Sequence, residues 1–201
     1  PVQTTNVLLE GNVAIAASDA GIYVGQSKQV VVRDNRAEYN VAGIEVENTI
    51  GADVYNNIAN NNTGGILVFN MPSIPQRGYA TRVFDNEIHS NNTENFAIPG
   101  TAVSGVPAGS GVVINSNDQV EVFNNHFSNN NTANIVISSY FSANFAGQRE
   151  LAAEFDPYPE EILIYDNTFE GGGTQPGLNY LTELKNALYG EQGAFPDIIW
   201  D

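Results

Sequence analysis

The chain has 201 residues, 42% of them hydrophobic, and 7 Lys and Arg against 23 Asp and Glu, a formal net charge of -16. That length suffices for one core, while so few cations exclude a nucleic-acid backbone and an anionic lipid surface as partners. Cysteine is absent, which rules out disulfides, thiolate metal sites and a Cys nucleophile.

From the amino end the chain repeats itself. Aligning on the second Asn of each motif puts Asn12, Asn35, Asn57, Asn86, Asn125 and Asn167 in one column. The first members are about 22 residues apart and the later gaps are that period plus insertions. Three residues earlier stands an aliphatic, Leu9, Val32, Val54, Val83, Val122 and Ile164, and two residues later a second apolar column, Ala14, Ala37, Ala59, Ile88, Phe127 and Phe169. Five residues after the Asn comes another polar column, Asn40, Asn62, Asn91 and Asn130. A further strand aligns as "GIYV" at 21, "GIEV" at 43, "GILV" at 65, "GVVI" at 111 and "NIVI" at 134, with the alternation of a strand buried on one face.

One repeat therefore reads strand, turn, strand, Asn turn, short strand, turn. It is too short for a β-α unit and fits one rung of a parallel β-helix of about six rungs, spanning 1–173. Equivalent residues then lie about 4.8 Å apart, so stacked amides satisfy one another while buried. This explains "VYNNIANNN" at 54–62, which reads as two ladder positions plus solvent-facing neighbours.

Three insertions leave the rungs, at 71–79, 94–110 and 138–160; the second is apolar for a loop and is expected on the flank, and the third has room for a helical turn at 147–154. After "EGGG" the pattern changes. Residues 174–201 form a terminal unit in which a helix at about 178–189 places Leu178, Leu181, Leu184 and Leu188 on one face, with Gly190 as its stop, as a cap over the open core. Met71 is the only methionine, so Pro1 is not a nascent start and the chain reads as a processed or truncated piece. The amino end begins almost directly with a strand; further rungs or a partner chain are expected ahead of it, within a larger assembly.

These columns resemble the bacterial right-handed parallel β-helix proteins of short repeats, whose relatives include carbohydrate-binding and sugar-hydrolysing domains, pectate lyases and mannuronan epimerases. More narrowly the chain is similar to an exported bacterial family called parallel β-helix domain-containing protein, through "AGIYVGQSKQVVVRDNRAEYNVAGIEVEN", "ADVYNNIANNNTGGILVFN", "VPAGSGVVI", "DPYPEEILIYDNTFEGGG" and "PDIIWD". The resemblance implies a periplasmic, cell-surface or extracellular location and an envelope context with c-type cytochrome-like proteins as possible partners. It implies no established activity. Its members are longer at the amino end.

Catalytic signals are thin. The basic residues form no cluster beside paired carboxylates; Arg33 and Arg82 point outward two rungs apart. An epimerase-like motif would read Asp-Pro-His-Asp, and "FDPYPE" has Tyr158 in place of the His. His89 and His126 read as structural turn-region positions on adjacent rungs. The candidate ligand-binding set is Tyr23, Glu45 and Glu47: the two glutamates share an outward strand face roughly 7 Å apart, with Asp19 and Tyr23 one rung before. Such acids could bridge calcium, but no calcium-loop spacing occurs, so no metal or cofactor is expected. Tyr55, Phe84, Phe123 and Tyr165 form an outward aromatic column, either a glycan platform or, as favoured, a surface covered by an insertion or the terminal helix. The reading is a structural or interaction module, not an enzyme; the alternative is a domain that binds or acts on polysaccharide. An ice-binding solenoid ranks last, for want of a Thr-x-Thr face.

Overall fold

The computed structural model describes residues 1–142, 151 and 154–201. The chain coils through six rungs. The first holds β1 (Thr5–Glu10), β2 (Val13–Ile15) and β3 (Ala20–Gly25); the second β4 (Lys28–Arg33), β5 (Arg36–Glu38) and β6 (Ala42–Glu47); the third β7 (Ile50–Tyr55), β8 (Ile58–Asn60) and β9 (Gly64–Phe69). The fourth holds β10 (Tyr79–Phe84), β11 (Glu87–His89) and β12 (Ser110–Asn115); the fifth β13 (Asp118–Phe123), β14 (His126–Asn130) and β15 (Ala133–Ser138). The sixth holds β16 (Leu163–Tyr165) and β17 (Thr168–Gly172), followed by the helix α1 (Asn179–Tyr189) and β18 (Ile198–Trp200).

Corresponding strands stack into three six-stranded parallel sheets, β1-β4-β7-β10-β13-β16, β2-β5-β8-β11-β14-β17 and β3-β6-β9-β12-β15-β18. Register holds across the insertions, with Val32 against Val54, Val54 against Val83 and Val83 against Val122. Both apolar columns read from the sequence point into one core, where the members from Val32, Ala37, Val54, Ala59, Val83, Ile88, Val122 and Phe127 are fully enclosed. The chain is a right-handed parallel β-helix.

The asparagines do what the period requires. The backbone N–H and side-chain Nδ2 of Asn35 both donate to Asn57 Oδ1 at 3.0 Å, and the same pair of bonds runs from Asn57 to Asn86, Asn86 to Asn125 and Asn125 to Asn167. Asn12 starts the ladder on Asn35 Oδ1. Each interior amide also donates back to a carbonyl of the preceding rung, as Asn57 does to Val32. A second ladder runs Asn40, Asn62, Asn91, Asn130, continues through Asn134, and ends on Asp197 Oδ1. The left-handed conformation falls not on the ladder residue but on the one before it: Gly11, Asp34, Asn56, Asp85, Asn124 and Asp166 all have positive φ, as do Tyr39, Asn61, Ser90 and Asn129 in the second turn. In "VYNNIANNN", then, Asn56 and Asn61 turn the chain while Asn57 and Asn62 hold it to its neighbours. Asn60 is buried rather than solvent-facing.

Two expectations need correction. Strands β6, β9 and β12 are buried on both faces, because Val103 and Val106 of the second insertion and Met71 of the first pack with Leu67, Phe69 and Val113 on the outer side of that sheet. The flank packing expected of the second insertion is therefore what closes this face. At the other end, α1 forms where expected and Leu178 and Leu181 are half-buried, but Leu184 is 47% and Leu188 62% exposed. Ile198 packs on the core and Phe195 is buried, so the chain after the helix contributes the apolar contacts. Among the described residues no helix is long and apolar enough to cross a membrane. The helical turn expected at 147–154 falls largely outside the described residues.

Candidate functional site

The register of β3 on β6 sets Tyr23 beside Glu45 and Gly25 beside Glu47. The Tyr23 ring lies across Gly25, where a Cβ would stand 2.3 Å from the phenol oxygen, so only glycine leaves room for it. From there the Tyr23 hydroxyl donates to Glu47 Oε1 at 2.9 Å, and Gln26 Nε2 donates to the same oxygen at 3.2 Å. The next rung brings Leu67 against Glu45 and Phe69 against Glu47.

Tyr23, Glu45 and Glu47 are thus together, as their spacing predicts, but they do not line an open groove. Glu45 is 3% and Glu47 8% exposed, and Glu45 Oε2 is buried without a hydrogen-bond partner among the described residues. Burial, with the charges of Asp19 and Glu47, pushes the Glu45 carboxyl well above the usual range. Burial also raises Glu47, against the pull of its bonds from Tyr23 and Gln26. Burial first, then the Glu47 charge, keeps the proton on Tyr23. Desolvation favours the neutral acid wherever no cation compensates. Burial and like charge thus favour the neutral acids, and among the described residues no cation pairs with them.

The remaining candidates stand apart from it. Arg33 pairs with Glu10 at 2.7 Å, and Arg82 grips Asp53 through Nε and Nη2 at 2.8 and 2.7 Å. His89 and His126 lie in β11 and β14 rather than in turns. His126 Nδ1 lies 2.8 Å from Glu87, and that bond raises its pKa. The imidazolium is thus favoured in the fold; its contribution is complete below the ordinary value of 6.5 and fades as pH rises through the folded value. An NMR titration is expected to show His126 titrating above 6.5, and Glu87→Gln to move it down; an unchanged midpoint in the variant would refute the pairing.

The aromatic column is stacked. Ring centroids of Tyr55, Phe84, Phe123 and Tyr165 follow one another at 4.8, 4.8 and 4.9 Å with interplanar angles of 12°, 3° and 4°. Among the described residues no insertion or helix buries it, since Tyr165 is 37% exposed and the others are half-buried. The rings cover each other's inner faces, so Phe84 and Phe123 offer mainly edges.

One feature had no signal in the repeat. Arg77 of the first insertion contacts Asp118 and Asp156, and the Glu160 N–H donates to Asp118. Asp156 and Glu160 belong to "FDPYPE", whose Tyr158 is 55% exposed. The carboxylates of Asp118, Asp156 and Glu160 lie close enough together to hold a cation, and the Arg77 guanidinium contacts two of them. A cleft of about 380 Å³ between the insertions is lined in part by Ile74, Arg77, Phe155 and Asp156.

No curated protein matches the sequence. A solved structure, the A-module of a mannuronan C-5 epimerase from Azotobacter vinelandii, superposes with a TM-score of 0.49 at 16% identity, over 85% of this chain and 55% of that one. The chain thus spans about half the length of that structure. Residues 2–76 match the family described as right handed beta helix region. The strand register of that matched region continues through the later rungs to the sixth.

Proposed function

We propose that the chain is a non-catalytic structural or interaction module of an exported β-helix protein, working in the bacterial cell envelope or extracellular space. The observation that carries this reading is the closed outer face of the β3–β18 sheet: Leu67, Phe69, Met71, Val103, Val106 and Val113 cluster there, and Glu45 and Glu47 are buried. A catalytic carboxylate has to reach its substrate, whereas Glu47 is taken up by Tyr23 and Gln26 and Glu45 is enclosed. The stacked column supports the same reading, since a sugar binds an aromatic through its face and the inner faces of this stack are taken. Export and the envelope setting rest on the resemblance to the exported β-helix family, as does a cytochrome-like partner.

A second reading, a domain that binds or acts on polysaccharide, is favoured by one observation, two buried glutamates with raised pKa values beside a tyrosine. A screen of acidic and neutral polysaccharides separates the two. The chain and its Glu45→Gln, Glu47→Gln double variant are expected to behave alike, with no turnover by either. Turnover by the wild type that disappears in the variant, with the fold intact, would replace the first reading by the second.

A further inference from the structure

The helix α1 is turned the wrong way for water. Tyr180, Leu184 and Leu188, spaced to share one stripe, are 56%, 47% and 62% exposed. The helix's one cation, Lys185, is 3% exposed and donates through Nζ to the Glu191 carbonyl at 2.8 Å. A helix facing only solvent carries the reverse arrangement, apolar residues inward and charges outward. The exposed stripe therefore has the composition of a face that another surface covers.

We infer that this stripe docks an amphipathic helix of a partner protein whose apolar face is flanked by Lys and Arg. The charge of the surroundings selects that partner. Glu183 lies beside the stripe, the helix's one cation is the buried Lys185, and the chain as a whole carries a formal net charge of -16. A second copy would bring the same sign of charge, -16 against -16, and an anionic lipid surface would be repelled likewise. A cationic helix meets an apolar seam with Glu183 at its edge on a strongly acidic chain, the geometry of helix-on-helix packing with complementary flanks. The inference rests on the reading of the chain as an interaction module and specifies one surface and one partner chemistry for it.

The test is a calorimetric titration of the chain with two synthetic amphipathic peptides that share a leucine stripe and differ in Lys or Glu flanks. The Lys-flanked peptide is expected to bind, the Glu-flanked peptide not, and Leu184→Asp with Leu188→Asp to weaken binding at least tenfold. Both positions are exposed, so the circular dichroism spectrum is expected to stay unchanged; should the double variant misfold, Leu188→Ser alone, at the most exposed position, is expected to weaken binding about threefold. Equal affinity in the folded variant would overturn the inference, because a basic peptide would then be gathered by the overall charge. A wild-type dimer that the variant abolishes would overturn it too, giving the face to a second copy. Such failures remove this surface only; the polysaccharide screen decides the interaction reading independently.

Discussion

Replacing Asn57 by Leu is expected to cost about 3–5 kcal/mol, because the change orphans several buried groups at once. Asn57 Oδ1 accepts from both the N–H and Nδ2 of Asn35, and Asn57 Nδ2 donates to Val32 O, Tyr55 O and Asn86 Oδ1. Leucine has similar bulk and supplies none of these bonds. The side chain is 1% exposed, so water replaces none of them without opening the coil. The same substitution at Asn12, exposed at the first rung, is expected to cost less than about 1 kcal/mol. Urea midpoints for the two variants check this. Equal losses at Asn57 and Asn12 would mean that the amides do not act as a buried ladder.

That gradient shows why the fold was readable. A coil repeats its environment every rung, so a residue that needs an identical neighbour leaves a column in the sequence. Asn57 and Asn62 could be read this way, as could the apolar pair Val54 and Ala59. The left-handed column was equally present, as Gly11, Asp34, Asn56, Asp85, Asn124 and Asp166, each just before a ladder residue; small and amide or acid side chains at every member were the signal for it. What the repeat cannot encode is what the insertions do. Nothing in "GIEVE" tells that Met71 and Val103 will close its outer face, because those residues come from segments that no other rung possesses. Arg77 reaching Asp118 and Asp156 is hidden for the same reason. The helix was legible as amphipathic, but amphipathicity does not say which face turns inward, and here Lys185 goes in while Leu188 stays out.

The burial of Glu45 has a consequence for how stability varies with pH. Its carboxyl is held neutral in the fold by desolvation and by the nearby Asp19 and Glu47, whereas in the unfolded chain it ionises near the ordinary glutamate value of 4.5. The folded state therefore binds this proton more tightly. Its contribution is fully present below 4.5 and is lost as pH rises through the higher folded value, where the protein must either ionise a carboxyl under an apolar layer or hold a proton against the solvent. Glu45→Gln keeps the shape and removes the ionisation. The variant is expected to be more stable than the wild type at pH 8, by an amount on the order of 1–3 kcal/mol, and to lose that advantage near pH 4. Glu47→Gln is expected to gain less, since Glu47 as a carboxylate accepts from both Tyr23 and Gln26. Thermal unfolding of the wild type and the two variants at both pH values measures the difference. If Glu45→Gln shifts the midpoint equally at pH 4 and pH 8, the carboxyl is not held as a buried acid, and the sealed outer face on which the non-catalytic reading depends is open to solvent.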